Sequence, residues 1–478
     1  MTSADLDPRR WKALAALGVA FLMVVLDISI VNVALPSIQT DLGFSPADIQ
    51  WVVSGYALTF GGFLLLGGRA GDLLGRKRLF MIGLALFAGC SLLAGLSTSS
   101  GMLIAARALQ GTAGAVLSPS AFSIVTVTFP EGPERNKALG MLGAVAASGA
   151  AVGALLGGVL TQYAGWEWIF FVNVPIGVGA LFFANRLIRE SRNDELHRHF
   201  DSAGAATITA ALMLLVYALT QANGVGWGSA RTIGILVASG ALHTAFIVIE
   251  LRSPSPLVPL SFFRRKTPAS ANVIGFGIGT ILFGTFFLLT LYMQQVLGLS
   301  AVRTGFGCLA AALTSIFASG AAQALVTRAG VKPVLTTGIL LLGGGLLYFT
   351  QISAGGSYFA DLLPGFILLG VGMGFSFVPV SIAALAGVPP LEAGLASGLI
   401  NTSQQIGGAL GVAILTTVST TRTDHLLAKG TGMPAALTGG FSLAFWIAAA
   451  FSAAVVVATI VTLRREEFRA VPAGAPAA

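Results

Sequence analysis

The sequence predicts an all-α polytopic membrane protein built from two six-helix bundles with two helices inserted between them, on three observations. Of 478 residues, 55% are hydrophobic and only 10% charged, where a soluble chain carries about a quarter charged residues. The apolar residues gather into fourteen runs, each near the ~20 residues that cross a hydrocarbon core. The cations fall almost wholly on one side of those runs, which places both termini in the cytoplasm.

The runs occupy roughly 11–34, 50–69, 79–97, 102–126, 138–162, 168–188, 203–222, 231–251, 272–296, 303–327, 333–353, 360–386, 393–419 and 438–463. The first carries Asp27 and lacks a small-residue cleavage site, so it reads as a permanent span and not a signal peptide. GRAGDLLGRKR, starting at Gly68, separates the second run from the third. The fourth holds Arg107, and the fifth is glycine-rich. A charged loop with His197 and His199 precedes the seventh, and these histidines read as solvated surface. The twelfth and thirteenth are joined only by Ala-Gly-Val-Pro-Pro. The resulting organisation is a first bundle over 1–190, two linker helices with their flanking loops over 191–271, and a second bundle with a cytoplasmic tail over 272–478.

Lysine and arginine test the count. With both termini inside, 22 of the 27 cations face the cytoplasm, four face out, and Arg107 alone lies within a span. Miscounting by one helix would scramble this positive-inside bias. The net charge of +8 sits in short loops, with no aromatic-interleaved basic patch, so nucleic acid is not an expected partner. Cys90 and Cys308 fall inside apolar runs, and no metal-ligand spacing appears.

The halves repeat weakly. Gly75, Lys77 and Gly83 match Gly330, Lys332 and Gly338 at an offset of 255, as Gly143, Ser148 and Gly153 match Gly398, Ser403 and Gly408. Gly114-AVLS-Pro119 matches Gly374-FSFV-Pro379 at 260. Repeated halves around a midplane site are the construction of secondary transporters. No nucleotide-binding loop is visible, so no cofactor is expected and a proton gradient is the expected energy source.

Intramembrane ionisable residues mark function by default. Asp27 reads as a proton carrier or a counter-charge for a cationic substrate, or else as a structural carboxylate bonded across helices. Arg107 cannot realistically deprotonate. It reads as a fixed charge tuning a nearby acid, or as a clamp between helices. Asp72 with Arg76, Lys77 and Arg78 reads as a breakable cytoplasmic gate or as a topogenic loop. Gly149, Gly153, Gly157 and Gly158 form a small-residue stripe for close helix approach. Asn32, Gln110, Asn401, Gln404 and Gln405 are candidates for a substrate path, with interhelical hydrogen bonding as the alternative.

These motifs resemble the major facilitator superfamily, and within it the fourteen-span drug:proton antiporters. GRAGDLLGRKR resembles the gate signature of the loop between helices 2 and 3, including Gly68, Gly75 and the Asp72 carboxylate. LDISIVNVALP is similar to the helix 1 signature of the fourteen-span group. RALQG is similar to the helix 4 motif whose arginine is implicated in proton transfer. WEWIFFVNVPIG and LASGLINTSQQIGGALG resemble segments of helices 6 and 13. Three departures stand out. Gly153-Ala154 replaces the usual Gly-Pro of helix 5, Glu167 stands where arginine is common, and RAGVKP lacks a counterpart of Asp72. The resemblance implies a bacterial cytoplasmic-membrane exporter, acting as a monomer, that exchanges small amphipathic drugs or antibiotics for protons. A narrow-specificity metabolite or siderophore exporter is the alternative, and a non-transporting receptor or scaffold the alternative of another class. No nucleophile or metal constellation suggests an enzyme.

Overall fold

A computed structural model describes residues 7–44, 48–49, 51–130, 132–191, 201–253, 256–389 and 392–463. The C-terminal tail, His197 and His199 lie outside these residues, as does the side chain of Ala154. The described residues form helices α1 (Arg10–Asp41), α2 (Trp51–Leu74), α3 (Arg76–Gly95), α4 (Ser100–Thr128), α5 (Pro133–Tyr163), α6 (Trp168–Phe171) and α7 (Asn173–Leu187). They continue with α8 (Ser202–Val225), α9 (Ala230–Arg252), α10 (Lys266–Leu291), α11 (Ala301–Ala329), α12 (Val331–Phe349), α13 (Leu363–Leu385), α14 (Ala393–Ala428) and α15 (Met433–Thr462). Each apolar run coincides with one helix, except that α6 and α7 share the sixth. Among the described residues, twelve spans are long and apolar enough to cross a membrane. The exceptions are α5 and α14, at 31 and 36 residues. The polar run Asn401–Gln405 and the Thr-rich stretch that follows lower the hydropathy of α14 without shortening it.

Local chemistry sets the helix ends. Ser99, Ser229 and Ser300 cap α4, α9 and α11 by accepting the N–H of the residue three further on. Asp201 caps α8 through Gly204 N–H at 2.7 Å. These caps satisfy backbone donors that the first helical turn leaves open. Several helices outrun their apolar stretch. α1 continues past Pro36 to Asp41, and α14 continues through TTRTDHLLA to Ala428.

The pairings of the first half recur in the second. α1 packs on α5 and α7, and α10 packs on α14 and α15. α2 and α3 pack on α4, as α11 and α12 pack on α13. The matched glycines explain why. Gly75 and Gly330 open α3 and α12 with φ of 106° and 87°, a conformation that L side chains rarely adopt. Gly83 abuts the α4 backbone at Leu117, and Gly338 abuts the α13 backbone at Phe375. The halves meet through two related helix pairs, α2 with α14 and α5 with α11. The inserted α8 leans on both α2 and α14, with α9 outside it.

Gly149, Gly153 and Gly157 face α1 at Val25, Leu26, Ser29 and Ile30, whereas Gly158 faces Val302 of α11. The stripe therefore serves two contacts, one inside the first half and one between halves. A side chain at Gly153 would stand 2.9 Å from the Leu26 carbonyl oxygen and press on the Ser29 hydroxyl. Gly153→Val is expected to destabilise the protein by about 1–3 kcal/mol through overpacking. Gly89→Ala meets nothing within 4 Å and is expected to be neutral or mildly stabilising. Thermal unfolding of the two variants in detergent checks the contrast.

Candidate functional site

Five helices converge on Asp27, which is fully buried at the middle of α1. Its Oδ2 pairs with Arg107 Nη1 of α4 at 2.5 Å. Its Oδ1 accepts from Gln110 Nε2 at 2.8 Å and from Asn173 Nδ2 of α7 at 3.2 Å. Both amides also donate to Ser91 Oγ of α3, at 2.6 and 3.2 Å. Arg107 further donates from Nη1 to Gln110 Oε1 at 2.7 Å and from Nε to the Val52 carbonyl of α2 at 3.0 Å. Its guanidinium lies 4.4 Å from the Tyr56 ring centroid and 5.7 Å from that of Phe170. Helical spacing makes this possible: Arg107 and Gln110 are three apart and share a face of α4. A buried ion pair survives in a low-dielectric interior only when its remaining donors and acceptors are met, and here they are shared among amides, a hydroxyl and a backbone carbonyl.

A second buried pair stands at the end of α2. Asp72 and Arg76 are 0% and 2% exposed and bridge at 2.7 Å. Ser123 of α4 accepts from Arg76 Nε at 2.6 Å. The Asp72 carboxylate then reaches across the seam between halves, accepting from Gly394 N–H at 3.3 Å and Leu395 N–H at 3.2 Å. Both amides lie in the first turn of α14, where the helix dipole favours negative charge. Close approach is needed for this contact, since any side chain at Gly68 would run into the Gly394 carbonyl. Ser397 Oγ adds a bond to the Pro119 carbonyl of α4 at 3.1 Å.

The other two cations of the motif point elsewhere. Lys77 Nζ donates to the Asn185 carbonyl at 2.7 Å, and the Arg78 side chain is exposed. The backbone N–H groups of Lys77 and Arg78 are held by Glu190, at 3.1 and 3.0 Å. Glu190 thereby caps α3, and it also packs against Gly75.

The five candidate path residues do not form one cluster. Gln110 belongs to the Asp27 network. Asn32 is exposed and donates to its own helix at Ile28 O, and Asn401 likewise donates to Ser397 O. Gln404 and Gln405 are half-buried on α14, where the Gln404 backbone lies against Gly279 of α10. Sequence reasoning missed Ser91, Asn173, Tyr56, Ser123 and Glu190. Only Asn173 carried a signal, as an amide inside the apolar WEWIFFVNVPIG segment.

Repeated helical halves, the first of which buries a hydrogen-bonded ion pair, are the architecture of a membrane transporter. The Major Facilitator Superfamily profile matches residues 17–412, and the chain belongs to that family as a multi-pass membrane protein. It is 39% identical over 459 residues to the puromycin resistance protein pur8 of Streptomyces alboniger, covering 95% of this chain and 91% of that one. It is 39% identical over 451 residues to the cephamycin export protein CmcT of Amycolatopsis lactamdurans, covering 94% and 91%. In fold it is similar to the human organic anion transporter MFSD10, with a TM-score of 0.66 at 17% identity, covering 93% of this chain and all of that one.

Removing either partner of the Asp72–Arg76 pair leaves an uncompensated buried group. Asp72→Asn is expected to cost about 3–5 kcal/mol. Adding Arg76→Met is expected to recover part of that loss, because the two groups couple. Thermal unfolding of both variants checks this, and strictly additive losses would contradict it.

Proposed function

We propose that this protein exports a small amphipathic compound of antibiotic type across the bacterial cytoplasmic membrane in exchange for protons, by alternating access. The observation that carries this reading is the buried Asp27–Arg107 network. Asp27 is a carboxylate held in the membrane interior by a cation that cannot give up its proton. Protonating Asp27 would break its charge-assisted bond to Arg107 and release the amides of Gln110 and Asn173. That change lies between α1, α3, α4 and α7, so it can bias how the first half packs. Substrate binding and protonation then favour opposite conformations, and the pH gradient supplies the direction.

In this account all fourteen long helices span the bilayer and both termini are cytoplasmic. The bundles of 1–190 and 272–478 rock about the 191–271 insert, and the protein works as a monomer. The Asp72 seam lies on the cytoplasmic side and is closed here, so the first step of export is its opening. Asp72 holds the seam through two backbone N–H groups and one cation, few enough bonds to break in a transport cycle.

Two relatives named for single compounds, puromycin and cephamycin, supply the first probes. Everted membrane vesicles energised to a proton gradient test the whole reading, with puromycin and a cephamycin as probes. Wild-type protein is expected to accumulate at least one of them and to lose accumulation when the gradient is collapsed. Asp27→Asn, inserted at normal levels, is expected to abolish it. Undiminished gradient-driven accumulation in Asp27→Asn would remove the carboxylate from the mechanism.

A further inference from the structure

The connection leading from α9 into α10 is anchored on both sides of the Asp72 seam. On the first half, Arg69 lies one turn before Asp72 on α2, is 7% exposed, and donates from Nη2 to the Pro256 carbonyl at 3.4 Å. Glu250, near the end of α9 and 4% exposed, accepts the N–H groups of Leu257 and Val258 at 3.1 and 3.0 Å. Leu257 and Val258 are themselves buried, at 1% and 2% exposure. On the second half, Phe262 is buried in the short 3₁₀ turn Leu260–Arg264. Arg265 then pairs with Glu392 at 2.7 Å. Glu392 immediately precedes α14 and stands two residues before Gly394, whose amide Asp72 accepts.

Residues 256–265 therefore run from the gate end of α2 to the start of α14. A charged side chain at each end and buried apolar side chains between them pin the segment. A surface loop joining two helices needs none of these anchors. A buried carboxylate in particular is retained only where its oxygens find donors, and Glu250 finds them in this segment.

We propose that residues 256–265 are a strap across the cytoplasmic seam that holds it closed in parallel with Asp72, with Glu250 and Arg265 as the positioning residues at its two ends. The inserted helices α8 and α9 then have a role beyond filling space, because they carry the fixed end of the strap. Opening the seam parts α2 from α14, so either the Arg69 bond to the Pro256 carbonyl or the Arg265–Glu392 pair must release. This rests on the alternating-access reading only in assuming that the seam opens.

The test measures opening directly, with neither substrate nor gradient. Spin labels at Leu74→Cys and Arg328→Cys, both exposed positions at the cation-rich end of opposite halves, report the separation by pulsed electron paramagnetic resonance. The background is Cys90→Ser/Cys308→Ser. Arg265→Gln is expected to raise the open population about two- to fivefold, the range set by a partly exposed ion pair, and Arg265→Lys to leave it near wild type. Glu250→Gln is expected to raise it as well. Arg265→Gln protein that is folded and monodisperse with an unchanged distance distribution would overturn the strap, whatever becomes of Glu250→Gln. Undiminished gradient-driven accumulation in Asp27→Asn, which would overturn the proton-coupled reading, would leave this measurement untouched.

Discussion

A carboxylate in the hydrocarbon interior has no water to hydrogen-bond, and the architecture of the first half is arranged around that constraint at Asp27. Insertion scales put the cost of an intramembrane acid at roughly 2.5–3.5 kcal/mol, and partners must offset it. Those partners come from α4 and α7, Ser91 of α3 holds the two amides in place, and Arg107 is in turn tied to the α2 backbone. Helices so joined must lie close. The glycine stripe of α5 lets it seat on the face of α1 beside Asp27, and Gly111 of α4 lies against the α2 backbone at Tyr56. Polar satisfaction and small-residue packing are thus one arrangement, because the short helix separations that glycine permits bring Asp27 within reach of three side chains.

The second half repeats the helices without the charges. At the repeat offset of 255, Asp27 corresponds to Leu282, which is buried in α10, and Asp72 corresponds to Thr327. Packing is conserved between the halves because the matched glycines meet matched backbones. Ion pairs are not, so the halves are equal as scaffolds and unequal in chemistry. The first half holds both buried pairs. The second contributes to the seam the backbone amides of α14, a partner that needs no particular side chain and that sequence patterns cannot reveal.

Much of the fold was legible because hydrocarbon imposes one rule on every span. Fourteen runs, the matched glycines and the isolated charges could be read from composition and spacing alone. The helix ends were less legible. Extension of α14 to Ala428 and of α1 past Pro36 depends on tertiary contacts that outlast the apolar stretch. In the site, Asp27, Arg107 and Gln110 stood out as polar residues in apolar runs, yet their mutual contact depends on helix rotation. Ser91 and Ser123 were invisible because a serine in a chain rich in Ala, Gly and Ser carries no signal. Lys77 and Arg78 show the opposite error. A cationic cluster reads as one unit, but successive residues of a helix point about 100° apart, and only Arg76, four residues from Asp72, can face it.

Export coupled to protons requires that Asp27 exchange its proton as substrate binds. The most direct measurement follows proton release from purified, detergent-solubilised protein in weakly buffered solution, using a pH-sensitive dye as puromycin is added. If Asp27 is the coupling acid, wild-type protein releases protons on binding, and Asp27→Asn binds with no release. Equal proton release from wild type and Asp27→Asn, with binding intact in both, would contradict the central claim and leave the Asp27–Arg107 network a structural clamp.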